Sequence, residues 1–78
     1  ARPEETERRR AAAEALKQLS PRELQVAIEV ARGLSNAEIA AEMFCSEATV
    51  KAHLTRIFTK LGIEGRVRLA ILVHDGHS

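Results

Sequence analysis

Lys51, Thr55, Arg56 and Thr59 lie with His53 and Lys60 in one stretch, Ala48–Leu61, which carries three Lys or Arg side chains and no carboxylate. The chain holds eleven Asp and Glu in its 78 residues, so this gap in the acids is informative. The side chains present there donate hydrogen bonds or carry positive charge, which is chemistry for holding a polyanion. Placed on a helix at about 100° per residue, Val50, Leu54, Ile57, Phe58 and Leu61 share one side. Lys51, Thr55, Ala48, Thr59, Ala52 and Arg56 fill the opposite arc, and Thr49, Lys60 and His53 lie on one flank. A solvated helix face would also be charged. The small residues Ala48, Ala52 and Thr55 shift the balance, because they let the helix backbone approach a surface closely while longer cations at the rim reach outwards. A helix in the major groove of DNA needs that shape. In such a groove Lys51 would donate to guanine O6 or N7, and Thr55 would bond a base edge or touch a thymine methyl.

The elements that must position this face are written in repeated punctuation. Leu19–Leu24 (LSPREL), Leu34–Ile39 (LSNAEI) and Cys45–Val50 (CSEATV) each place an apolar residue before a Ser and another five positions on. Ser20, Ser35 and Ser46 are the expected N-caps, each worth about 1 kcal/mol. Glu23 and Glu38, three residues after their caps, complete capping boxes, and the flanking apolar pairs have the spacing of a hydrophobic staple. Pro21 falls at the first helical position, where its missing N–H costs nothing. Gly33 and Gly62 are the expected stops of the first and third helices. The second helix, about Asn36–Met43, ends without a glycine. A fourth helix is expected from Arg66 to His74, entered through Gly65. Upstream, Pro3–Gln18 has helix-favouring composition with acids at its N-terminal side, but its apolar face is thin. It is expected to be a linker helix, exposed or docked elsewhere. The expected inward faces are Leu24, Ala27, Ile28 and Ala31 in the first core helix, and Ile39, Ala40 and Met43 in the second. A short second helix, a tight connection and a longer third helix are the order of a helix-turn-helix.

Composition bounds the rest. The chain is one small all-α domain near the lower size limit for a self-sufficient core. That core is aliphatic, since there is no Trp or Tyr and only two Phe. Net charge is +1, but residues 1–47 carry seven basic and nine acidic side chains while residues 48–78 carry five and two. The second half is therefore the cationic one, which points towards a polyanion. One cysteine cannot form an internal disulfide, which fits a reducing, cytoplasmic setting. No apolar run approaches the ~20 residues of a membrane span, and no signal-peptide pattern is present. The chain starts at Ala1 with a charged stretch, as expected of a piece of a longer protein.

Leu19 to Val73, with its segments LSPRE, GLSNAEIA and SEATVKAHLTRIFTKLG in order and spacing, resembles the DNA-binding domain of the LuxR/NarL (GerE-type) transcriptional regulators. The resemblance implies an all-α, four-helix helix-turn-helix domain over residues 19–76, preceded by a linker over residues 1–18. It implies a sequence-specific regulator of transcription, the output domain of a two-component response regulator, with a receiver domain upstream. Carried onto this sequence, base-reading positions fall on Lys51, Ala52 and Thr55. Phosphate-binding positions fall on Asn36, Ser46, Thr49, His53, Arg56, Lys60 and Arg66. The fourth helix implies homodimerisation, with Val67, Arg68 and Ile71 at the interface. The implied partners are double-stranded DNA with paired half-sites and a second copy of the chain, with no membrane and no cofactor. Two positions depart from the family pattern: Cys45 stands where Ile, Val or Met is usual, and Gly65 beside Glu64 stands where a polar cap is usual.

Other chemistries fare worse. No nucleophile–base pairing or phosphate loop is present, so an enzyme is not expected. Cys45 reads better as a small staple residue against Val50 than as a redox sensor. His53, His74 and His77 form no compact metal-ligand set with Cys45; His53 suits a phosphate, and His74 and His77 a solvated tail. A sigma-factor-like promoter-binding domain and a helical protein-interaction module remain the alternatives. The two capping boxes and the VKAH segment favour the LuxR/NarL type.

Overall fold

The computed structural model describes residues 2–77, which form five α-helices: α1 Pro3–Leu16, α2 Pro21–Ala31, α3 Asn36–Glu42, α4 Glu47–Leu61 and α5 Arg66–His77. No strand occurs among the described residues. The three serine starts form as expected. Ser20 and Ser35 each accept the backbone N–H of the glutamate three residues on, and Glu23 and Glu38 accept the cap N–H in return. Ser46 accepts from the amide of Thr49. Gly33 and Gly62 stop α2 and α4 with positive φ angles of 86° and 64°, a conformation that side-chain-bearing residues adopt at a cost.

The end of α3 takes an unusual form. Met43 is its C-cap, and the left-handed position that follows is filled by Phe44, at φ 54°, in place of a glycine. Phe44 N–H donates to Ala41 and Cys45 N–H to Ala40, so these two carbonyls of the last turn of α3 are satisfied. Cys45 is half-buried against the core, as its staple role requires.

One core joins all five helices. Val26, Ile39, Val50, Ile57 and Leu69 are its largest fully buried side chains. α2 packs on both α4 and α5, and α3 packs on α4. The inward faces of α3 and α4 are as expected: Ile39, Ala40, Met43, Val50, Leu54 and Ile57 are buried, while Phe58 and Leu61 pack at the core's edge. α2 is rotated from its expected setting. Val26, Ala27 and Val30 are buried, Leu24 and Ile28 are half-buried, and Ala31 is exposed. The cause is polar: Glu23 and Glu29 are themselves buried and occupy part of the inward stripe.

The N-terminal segment docks on the domain itself. α1 packs against α5, burying Ala12 and Leu16, while its first half stays mostly exposed. Gly76 makes the approach possible, since a Cβ there would lie 2.7 Å from the backbone carbon of Ala12. Arg8 pairs with the half-buried Asp75 at 3.3 Å. α5 consequently runs three residues beyond its expected end at His74. His74 and His77 are exposed, but on a helix and not on a tail.

A candidate nucleic-acid interface on α4

α3, the turn at Phe44 and α4 form the helix-turn-helix, and α4 presents the expected face to solvent. Ala48, Lys51, Ala52, Thr55, Arg56 and Thr59 are all exposed. Neither Lys51 nor Arg56 forms an ion pair among the described residues, whereas Arg8, Lys17, Arg32 and Lys60 each meet a carboxylate. The face is therefore a strip of small side chains edged by two uncompensated cations. Thr55 donates its hydroxyl to the carbonyl of Lys51 at 3.1 Å, and Thr59 donates to that of Thr55 at 2.9 Å. This back-bonding uses the hydroxyl hydrogen and fixes the rotamer. In that rotamer Thr55 offers the surface a methyl group and oxygen lone pairs, not a donor.

The N-terminus of α4 is ordered by Ser46, whose Oγ lies 3.1 Å from the amide nitrogen of Thr49 and 3.0 Å from its hydroxyl. Both side chains are exposed, at an end where helix geometry concentrates N–H donors suited to a phosphate. Asn36 and Arg66, expected separately as phosphate contacts, are brought together. The Arg66 guanidinium donates to Asn36 Oδ1 and, at 2.8 Å, to the carbonyl of Leu34. With Oδ1 engaged, the amide of Asn36 turns its NH2 donors to other partners. The same contact anchors the first turn of α5, which Gly65 enters at φ 85°. His53 is half-buried, and its Nδ1 is buried without a hydrogen-bond partner among the described residues. Its Nε2 is the only ring atom left for a surface contact.

Lys60 departs from the expected arrangement. Its side chain is exposed, but its ammonium is turned to the buried Glu23, 2.6 Å from Oε1. That contact, helped by the amide of Ser20, holds the Glu23 carboxyl below the usual glutamate range. The amide of Ser35 does the same for the exposed Glu38. Two further features lay beyond sequence reasoning. Arg22 donates to the carbonyl of Met43 at 3.4 Å, across the end of α3. Phe44 stands 96% exposed beside it in sequence, and the missing glycine after α3 was its only signal. On α5, Val67 (74%) and Ile71 (57%) are exposed with Arg68, so docked α1 does not cover them. Among the described residues no group of three or more His, Cys, Asp or Glu is placed to hold a metal ion.

Residues 17–73 match the family model described as bacterial regulatory proteins, luxR family. The chain belongs to this family. Among its LuxR-family relatives, the nitrate/nitrite response regulator protein homolog of Haemophilus influenzae is 44% identical over 60 residues, 77% of this chain and 29% of that protein. The transcriptional regulatory protein LiaR of Bacillus subtilis is 39% identical over 59 residues, 76% of the chain and 28% of LiaR. The oxygen regulatory protein NreC of Staphylococcus aureus is 47% identical over 51 residues, 65% of the chain and 24% of NreC. The chain thus spans under a third of the length of each of these relatives. It carries the LuxR-family helix-turn-helix domain, of the type found in DNA-binding regulators of transcription.

Proposed function

We propose that this chain is the DNA-binding output domain of a bacterial two-component response regulator, acting in the cytoplasm by binding and not by catalysis. The observation that carries the proposal is the exposed face of α4, free of acids from Ala48 to Leu61 after Glu47 in the first turn, and edged by the cations Lys51 and Arg56, neither in an ion pair among the described residues. In the proposed complex α4 lies in the major groove. Lys51, Ala52 and Thr55 meet base edges. Ser46, Thr49, His53 and Arg56 meet the flanking phosphates, and Asn36 and Arg66 act as one unit on a neighbouring stretch of backbone. Thr55, with its hydroxyl hydrogen engaged by Lys51, selects an amino group as donor or a thymine methyl as contact. The exposed Val67, Arg68 and Ile71 form the homodimer contact, so that two copies occupy paired half-sites. The similarity to the nitrate/nitrite response regulator protein homolog supports a receiver domain upstream.

Selection of bound sites from random duplex DNA tests the proposal, followed by Lys51→Ala and Arg56→Ala. Lys51→Ala is expected to cost about 1–3 kcal/mol and to relax preference at one base position. Arg56→Ala is expected to weaken all sequences alike and to flatten the salt dependence by about one unit. No enriched sequence, or equal losses on selected and random DNA for both variants, overturns it.

A further inference from the structure

Lys60 lies about 120° around α4 from the centre of the exposed face, and its ammonium points back to Glu23 across 2.6 Å. Glu23 is 3% exposed and sits in the first turn of α2. Its Oε1 also accepts the N–H of Ser20 at 2.9 Å, so one oxygen closes the α2 capping box and holds the last turn of α4. The neighbouring residue, Arg22, holds the carbonyl of Met43 at the end of α3. Two consecutive residues of α2 therefore grip the far ends of both helices of the helix-turn-helix.

The apolar contact between α4 and the core is made by the buried Val50, Leu54 and Ile57, with Phe58 and Leu61 at its edge. Aliphatic surfaces fix how closely helices approach but tolerate small slides and rotations. A directional, charge-assisted hydrogen bond tolerates less. Here the carboxylate is buried and the ammonium is partly exposed; an ion pair with a desolvated partner contributes little net stability, and selecting one geometry among near-equals is its better-attested use. A recognition helix has to be held within a fraction of an ångström for bidentate base contacts to form.

We propose that Glu23 and Lys60 are positioning residues, which set the seating of α4 in the groove and thereby its sequence preference, without Lys60 touching DNA. The proposal rests on the reading of DNA by α4 given above. A phosphate-binding Lys60 would act on every sequence alike and through salt. A positioning Lys60 acts on the preferred sequence and leaves the salt dependence unchanged.

The test measures binding of the 78-residue chain to its selected site and to random duplex across a salt series. The variants are Lys60→Met, Glu23→Gln and the pair together, with thermal melts run alongside. Lys60→Met keeps the aliphatic stem, and Glu23→Gln keeps an oxygen for Ser20. Each single variant is expected to lose about tenfold on the selected site, with little loss on random DNA and an unchanged salt slope. The double variant is expected to lose no more than the worse single one, because both remove the same contact. The proposal is overturned if Lys60→Met weakens both DNAs equally and lowers the slope by about 0.9. It is equally overturned if Glu23→Gln leaves binding unchanged or tightens it by freeing the ammonium. Should Glu23→Gln fail to fold, the slope and selectivity of Lys60→Met decide alone. A parent chain that prefers no sequence overturns the proposed function first, and this inference falls with it.

Discussion

Glu23 and Lys60 meet at 2.6 Å across the interface of α2 and α4, and the carboxylate is almost wholly withdrawn from water. Lys60, and then Ser20, hold the Glu23 carboxyl below its ordinary value. A carboxylate with a depressed folded-state pKa contributes stability above its unfolded pKa, about 4.3 for glutamate, and loses it as pH falls through the folded value. The melting temperature is therefore expected to hold from neutrality to about pH 5 and to fall below that. Glu38, depressed by Ser35, adds in the same direction. Circular-dichroism melts of Glu23→Gln are expected to show a shallower acid decline, with a remainder from groups such as Glu38. Superimposable profiles for parent and variant would remove Glu23 from the account.

Ser46→Ala deletes the acceptor for the Thr49 amide and the partner of the Thr49 hydroxyl. The expected loss is about 1 kcal/mol, or a melting temperature lower by about 4–8 °C in a domain of this size. DNA affinity is expected to fall as well, measured well below the melting point, because the same helix end is proposed to face a phosphate. An unchanged melt together with normal binding contradicts both halves.

Local signals made much of this legible. Each serine cap needs only a residue three positions away, so Ser20, Ser35 and Ser46 could be placed from the sequence alone. The exposed face of α4 was legible for the same reason, since helical periodicity is a local property. The features that escaped depend on partners distant in sequence. The face of α2 was set wrongly at Ala31, which is exposed, and the inward Glu23 looks like a solvent residue until Lys60 is beside it. α5 was cut short at His74 because its last residues were taken for a solvated tail, and nothing local shows that α1 packs against Gly76. Lys60 is exposed as expected, but its pairing with Glu23 was not legible, because nothing in α4 points to a residue 37 positions away.

Ile71→Glu probes the exposed face of α5. Val67 and Ile71 are not covered by α1, which leaves a second copy as their proposed partner. Binding to a single half-site is expected to survive, while cooperative occupation of paired half-sites, about 10 bp apart, is lost. Gel shifts on probes of varied spacing separate the outcomes. Spacing dependence that persists in the variant contradicts dimerisation through this face.

Gly76→Ala tests the docking of α1. The added Cβ would sit 2.7 Å from the Ala12 backbone, which cannot yield as a flexible side chain can. Loss of about 1–3 kcal/mol is expected, with faster amide exchange confined to α1 and the C-terminal turn of α5. Affinity for a half-site is expected to be unchanged, since neither element belongs to the proposed interface. Unaltered exchange in α1 contradicts the close packing.

The contact between Ala12 and Gly76 also orders events in time. Of the five helices described, α1 is made first, and α5, on which it packs, is made last. At about 5–20 residues per second, α1 waits several seconds without a partner. Meanwhile α2, α3 and α4 can meet through contacts closer along the chain, which form quickly. Its thin apolar face, Ala12 and Leu16 amid charged neighbours, suits that interval, because little greasy surface is offered to other nascent chains. The helix that closes the domain is thus the one best able to remain single until its partner arrives.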